Sequence, residues 1–141
     1  MKNSNIYWLA LFAAVIFSCK QDNSQTKELI VGSWVLEEAT RNGRPAESLA
    51  SLYFDFLPDG ILKTNFNSIP EEGNYEIKGD KLLLRNLSRD SDLDVESISM
   101  DNLVLTTQLT AGNGATYAFR FVMRKSTSGE ETTEVQHEQM Q

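Results

Sequence analysis

Apolar and polar positions alternate with a period of two over most of residues 29–125. That spacing sets one face of a strand in a core and the other in water. The first expected strand runs from about Leu29 to Glu38, β-branched and aromatic at its centre. Turn residues Asn42-Gly43 and Pro45 follow, and Glu47 to Ser51 has room for a short helical turn. The second strand, about Leu52 to Phe56, puts Leu52, Phe54 and Phe56 on one face. Pro58-Asp59-Gly60 is a strong turn, because proline presets φ and glycine supplies a positive φ. Leu62, Thr64 and Phe66 share a face of the third strand, about Ile61 to Asn67. Pro70 to Gly73 turns the chain into the fourth, Asn74 to Lys78, and Gly79-Asp80 makes a two-residue hairpin with the fifth, Lys81 to Asn86. After a polar link, Leu87 to Asp92, comes a sixth strand lined by acids, about Leu93 to Ser99. The seventh, Leu103 to Leu109, alternates cleanly. The eighth, Ala115 to Lys125, carries Tyr117, Phe119, Phe121 and Met123 on one face.

Eight short strands joined by tight turns, with no helix long enough to cover a sheet, predict an all-β fold. The expected architecture is an eight-stranded antiparallel up-and-down β-barrel, which removes its open edges by closing. A two-sheet sandwich is the alternative arrangement of the same strands.

The ends of the chain follow other patterns. Residues 1–18 open with a short polar stretch containing Lys2 and continue into an unbroken apolar run, Ile6 to Phe17. That is the form of a secretory signal, and the run is short for a bilayer span. A membrane anchor helix is the alternative, but no basic stop-transfer cluster follows. Residues 19–28 are almost wholly polar and are expected to form a flexible tether. Residues 126–141 lose the strand pattern and hold four glutamates without Lys beyond Lys125, so a disordered acidic tail is expected there.

Cys19, the single cysteine, stands where the signal ends, after Ile16-Phe17-Ser18. An aliphatic residue, a variable one, a small one and then Cys resemble the lipobox of bacterial lipoproteins. The resemblance implies cleavage before Cys19 and acylation of its thiol and new amino group. Two or three acyl chains anchor stably where one is marginal. A second resemblance covers residues 29–125. Gly32-x-Trp34, Phe54-Asp55-Phe56 before Asp59-Gly60, Gly73-x-Tyr75, Leu82-x-Leu84 and an aromatic last strand ending in Arg124 resemble the lipocalin-like domains of Bacteroidota envelope lipoproteins.

What that resemblance implies is a barrel able to hold a small apolar molecule, with Trp34 closing one end and Arg124 packed over it. Gly32 would let the backbone bend or approach closely beside Trp34. By alternation Arg124 lies opposite Phe119 and Phe121, so it reaches Trp34 only where the strand leaves the barrel. The candidate ligand-lining residues are Phe54, Phe66, Tyr75, Leu84, Leu105, Phe119 and Phe121. An eight-stranded barrel is barely wide enough for one small ligand, and close packing would make these same residues core.

Charge and chemistry narrow the function classes. A formal net charge of -7, with no basic cluster, opposes nucleic-acid binding, which needs a face that displaces counterions. The one histidine, His137, lies in the acidic tail, where nothing would orient it as a base for a nucleophile. No phosphate loop and no Cys/His metal spacing is present. The run Asp90 to Glu96 resembles the start of a calcium loop, but Val95 stands where the sharp turn needs glycine. The same alternation in a strand makes a solvated face. A non-enzymatic, monomeric protein without cofactor or metal is therefore expected, held to the outer membrane of the bacterial envelope through Cys19. Its periplasmic or surface orientation stays open. Two readings remain: a module that binds a small hydrophobic ligand, and a structural module that binds an envelope protein.

Overall fold

The computed structural model describes residues 23–127. The apolar N-terminal run, Cys19 and the acidic tail with His137 lie outside the described residues. One helix, α1 (Asn23–Ile30), precedes nine strands: β1 (Gly32–Arg41), β2 (Arg44–Pro45), β3 (Tyr53–Phe56), β4 (Ile61–Thr64), β5 (Glu71–Lys78), β6 (Lys81–Arg85), β7 (Ser91–Ile98), β8 (Asn102–Thr110) and β9 (Thr116–Lys125). Apart from the two-residue β2, each strand pairs antiparallel with its sequence neighbour from β3 to β9. Pairing of β1 with both β3 and β9 closes the sheet. The result is the eight-stranded antiparallel up-and-down barrel that the strand pattern predicts, consistent with a lipocalin-like fold.

Local sequence explains the turns. Asn42 (φ 52°) and Gly43 (φ 78°) take the two left-handed positions of a tight hairpin, so that Arg41 pairs with Arg44. The strand β1 continues past Leu36 with a bulge before Glu38, and β7 has another between Val95 and Ser97. Such bulges add the bend that a small barrel needs. Gly73 serves a close approach: a Cβ there would meet the Arg85 carbonyl and come within 2.7 Å of Leu87 Cδ2.

Inward positions form one core. Trp34, Phe54, Leu62, Leu82, Leu84, Leu93, Leu103, Leu105 and Met123 are fully buried. A spine of aromatic contacts runs along it: Tyr75 edge-on to Phe56 (4.9 Å), Phe56 stacked on Phe54 (5.6 Å), then Phe66, Phe121 and Phe119 at centroid spacings of 5.9 to 6.0 Å. These spacings fall in the favourable range for ring pairs.

The acid-lined strand is real, and its charges are matched across the sheet. Asp92 pairs with Arg85 (2.7 Å), Asp94 with Lys81, and Glu96 with the Arg120 Nε (3.1 Å). The calcium-like spacing of these acids is thus explained by ion pairs to the neighbouring β6 and, across β8, to β9.

Several boundaries differ from the sequence reading. The strand expected from Leu29 begins at Gly32, and α1 occupies Asn23 to Ile30, partly replacing the expected tether. The helix lies against β5 and β7 and turns its Thr26 and Ile30 inward, four residues apart on one helical face. Ile30 is fully buried and caps the core. The β5 strand also starts three residues earlier than expected, at Glu71, because the chain pairs with β4 as soon as it leaves Pro70.

Candidate functional site

The two ends of the barrel are built differently. At one end lie α1 and the turns at Leu57–Gly60, Gly79-Asp80 and Ser99–Asp101. Here the Trp34 indole, fully buried, donates its Nε1–H to the Ile30 carbonyl (2.8 Å). Lys125 Nζ sits 4.6 Å from the centre of the Trp34 ring and donates to the carbonyls of Leu29 (3.2 Å) and Val31 (2.7 Å). Three successive carbonyls at the end of α1 are therefore taken by barrel side chains. Those carbonyls have no partner within a helix, and the helix dipole favours a cation beside them. Burial draws the Lys125 pKa below its ordinary value. The two carbonyls and the indole face act the other way and favour the cation.

This arrangement corrects the expected closure. The cation over Trp34 is Lys125, not Arg124. Odd positions of β9 face inward, so Lys125 follows Phe121 and Met123 into the barrel, while Arg124 is exposed. Gly32 makes the contact feasible: a Cβ there would lie 2.5 Å from Lys125 Cε, and its φ of +133° is one side chains rarely adopt. The Gly-x-Trp pair thus leaves a slot for the lysine stem and supplies the ring that its ammonium covers.

At the other end the barrel is open. A cavity of about 670 Å³ lies between the segment that joins β2 to β3 and the loops β4–β5 and β6–β7. Phe66, Phe119, Phe121, Leu49, Leu52 and Leu109 form its apolar part. Serines, asparagines and Arg89 form its rim. The size matches small-molecule pockets in general. The rim loops are braced. The Glu71 carboxylate accepts the Asn67 amide (2.9 Å) and the Ser88 backbone N–H (2.6 Å), and Asn67 also donates to the Arg89 carbonyl (3.1 Å). These bonds, led by the one from Asn67, hold the Glu71 pKa below its ordinary value. Asn65 ties the rim to β3 by accepting from the Tyr53 N–H and donating to the Ser51 carbonyl.

The seven candidate lining residues separate along the barrel. Phe66, Phe119 and Phe121 line the cavity. Phe54, Leu84 and Leu105 are fully buried below it and fill the core. Tyr75 lies toward the closed end, its hydroxyl donating to the Leu57 carbonyl (2.6 Å). Sequence reasoning missed Arg89 and Ser91, which stand in a polar link that carries no periodic signal. Ser91 faces inward, its relative exposure is 8%, and its hydroxyl has no hydrogen-bond partner among the described residues.

No protein-family model matches the chain, and no curated protein matches it significantly. Its functional reading therefore rests on the barrel and the cavity.

Proposed function

We propose that this chain is a non-catalytic, lipid-anchored envelope lipoprotein whose barrel binds a small hydrophobic molecule. The single observation that carries the binding reading is the 670 Å³ cavity at the open end, with Phe66, Phe119 and Phe121 in its wall. A barrel this small is usually filled by its own side chains. Here filling stops at the level of Phe54, Leu84 and Leu105, and the space above is left to a ligand. Anchoring rests on Cys19 after Ile16-Phe17-Ser18 at the end of the apolar run. The helix α1 that follows lies across the closed end, so an anchor before it leaves the cavity on the far side of the barrel.

Native mass spectrometry of the purified full chain tests the binding reading. A retained apolar molecule, or saturable uptake of Nile red, is expected. A chain that carries nothing and takes up no Nile red would leave the envelope-partner reading in its place. Anchoring is tested separately, by metabolic labelling with an alkyne palmitate analogue. Cys19→Ala is expected to lose the label and leave the membrane fraction.

A further inference from the structure

The closed end carries the most exposed large apolar side chain among the described residues. Met100 is 80% exposed, at the tip of the turn between β7 and β8. The turn is braced: the Ser99 N–H donates to the Asn102 carbonyl (2.8 Å), and the Lys125 N–H to the Asp101 carbonyl (3.0 Å). The Ser99 hydroxyl donates to the Asp101 carboxylate (3.1 Å) and accepts from the Asn102 N–H (3.1 Å). A fixed tip therefore holds the Met100 thioether outside the core. Single exposed apolar side chains are ordinary on a surface. The place of this one is tied to the anchor by chain length. Three residues, Lys20, Gln21 and Asp22, separate Cys19 from Asn23, where α1 begins. An extended chain gains at most about 3.6 Å per residue, so the span from Cys19 to Asn23 reaches about 14 Å. The barrel is taller than that. A ten-residue strand such as β9 is about 33 Å long, and a tilt of about 40° leaves roughly 25 Å of height. An acylated Cys19 thus keeps α1 and the closed end beside the lipid, and the open end away from it.

We propose that the closed end is a lipid-docking surface, and that Met100 enters the boundary between headgroups and acyl chains when Cys19 is anchored. This rests on the anchoring reading above and adds a second contact with the membrane to it. One inserted side chain is too weak to hold a free protein on a bilayer. The acyl anchor raises its effective concentration at the surface, so the weak contact sets the orientation of the barrel. Asp59, Asp80 and Asp101 stand in the three turns of this end. The surface therefore lacks the basic cluster that anionic lipid attracts, and it fits zwitterionic lipid. The other exposed large apolar side chain, Ile69 (53%), lies in the β4–β5 loop at the open end and provides the contrast.

The test uses the full chain, processed in cells and reconstituted into phosphatidylcholine vesicles, with a nitroxide attached at one position. Cys19 is the single cysteine, so Met100→Cys and Ile69→Cys each offer one free thiol when Cys19 is acylated. On vesicles, collisions with a water-soluble nickel chelate are expected to be several-fold rarer at position 100 than at position 69. Collisions with lipid-dissolved oxygen are expected to be more frequent there. A second measurement needs no substitution at the tip. Dilute peroxide, read by peptide mass spectrometry, is expected to oxidise Met100 several-fold more slowly on vesicles than in the Cys19→Ala chain in solution. A chain that stays with the vesicles but leaves position 100 as open to the chelate as position 69 would overturn the docking surface and leave the anchor intact. Equal oxidation rates of Met100 in the two chains would overturn it too. Nitroxide uptake at Cys19 in the unaltered chain would show a free thiol, and would remove the anchoring reading and this inference together.

Discussion

Lys125 Nζ covers the Trp34 ring at 4.6 Å and at the same time closes the end of α1 through the Leu29 and Val31 carbonyls. One side chain at the end of the last strand thus joins the first strand, the last strand and the only α-helix among the described residues. Replacing it with methionine keeps the stem against the indole but strands two carbonyls. A loss of about 1–3 kcal/mol in urea unfolding is expected for Lys125→Met, the range for leaving buried acceptors unpaired. Arg124→Ala, one residue away and exposed on the outer face, is expected to cost less than Lys125→Met. Equal losses at the two positions would contradict the assignment of Lys125 as the closing cation.

Gly32 and Lys125 are predicted to be coupled. Gly32→Ala strains a backbone at φ +133° and places a methyl group on the lysine stem. A loss of about 1–3 kcal/mol is expected, the scale of a residue forced into a sparsely populated region. In a Lys125→Ala background the stem is gone and only the backbone strain remains. The same glycine substitution should then cost less, and a double-mutant cycle of urea midpoints measures the difference.

How far the sequence could be read follows from where periodicity exists. The barrel strands were legible because Phe54 and Phe56, Leu82 and Leu84, or Phe119 and Phe121 repeat every second residue between glycine and proline turns. The helix α1 was not, because only Thr26 and Ile30 mark its inner face, and Leu29-Ile30-Val31 reads as the start of a strand. Lys125 was within reach: the alternation that sets Phe119 and Phe121 inward also sets Lys125 inward and Arg124 out. The place where filling gives way to cavity was not legible. Phe54 and Phe119 have the same alternating surroundings in sequence, and only their height in the closed barrel separates core from lining. Arg89 and Ser91 lack even that signal, since they fall in the polar link Leu87 to Asp92, where no alternation marks them.

Glu71 gives the mouth a pH dependence. Its carboxylate holds Asn67 and Ser88, and these bonds lower its pKa in the folded chain. A lowered folded pKa means that the stabilisation is fully present above the unfolded value of about 4.3 and is lost as pH falls through the folded value. The brace between the β4–β5 and β6–β7 loops should therefore persist at neutral pH and fail only in stronger acid. The Ser88 amide proton reports this directly by NMR. Its shift should titrate with a midpoint below that of an ordinary glutamate, and Glu71→Gln should abolish the titration. A midpoint at or above the ordinary value would rule out the brace as described.

Phe54 and Phe119 separate the stability of the barrel from its proposed binding. Phe54 is fully buried and touches Phe56 and Phe66, so Phe54→Ala removes a large side chain from a filled interior. The expected loss is about 3–5 kcal/mol, made of lost transfer energy and the cavity left behind. Phe119 stacks on Phe121 at 5.9 Å but is only half-buried and faces the existing cavity. Phe119→Ala enlarges a space already there, so its cost in unfolding should be well below that of Phe54→Ala. Its effect on ligand should be larger, because the ring forms part of the apolar wall that a bound molecule would cover. Urea unfolding and Nile red titration of the two variants measure both quantities. If Phe119→Ala left Nile red affinity unchanged while remaining folded, the wall of Phe66, Phe119 and Phe121 would not be where the ligand lies.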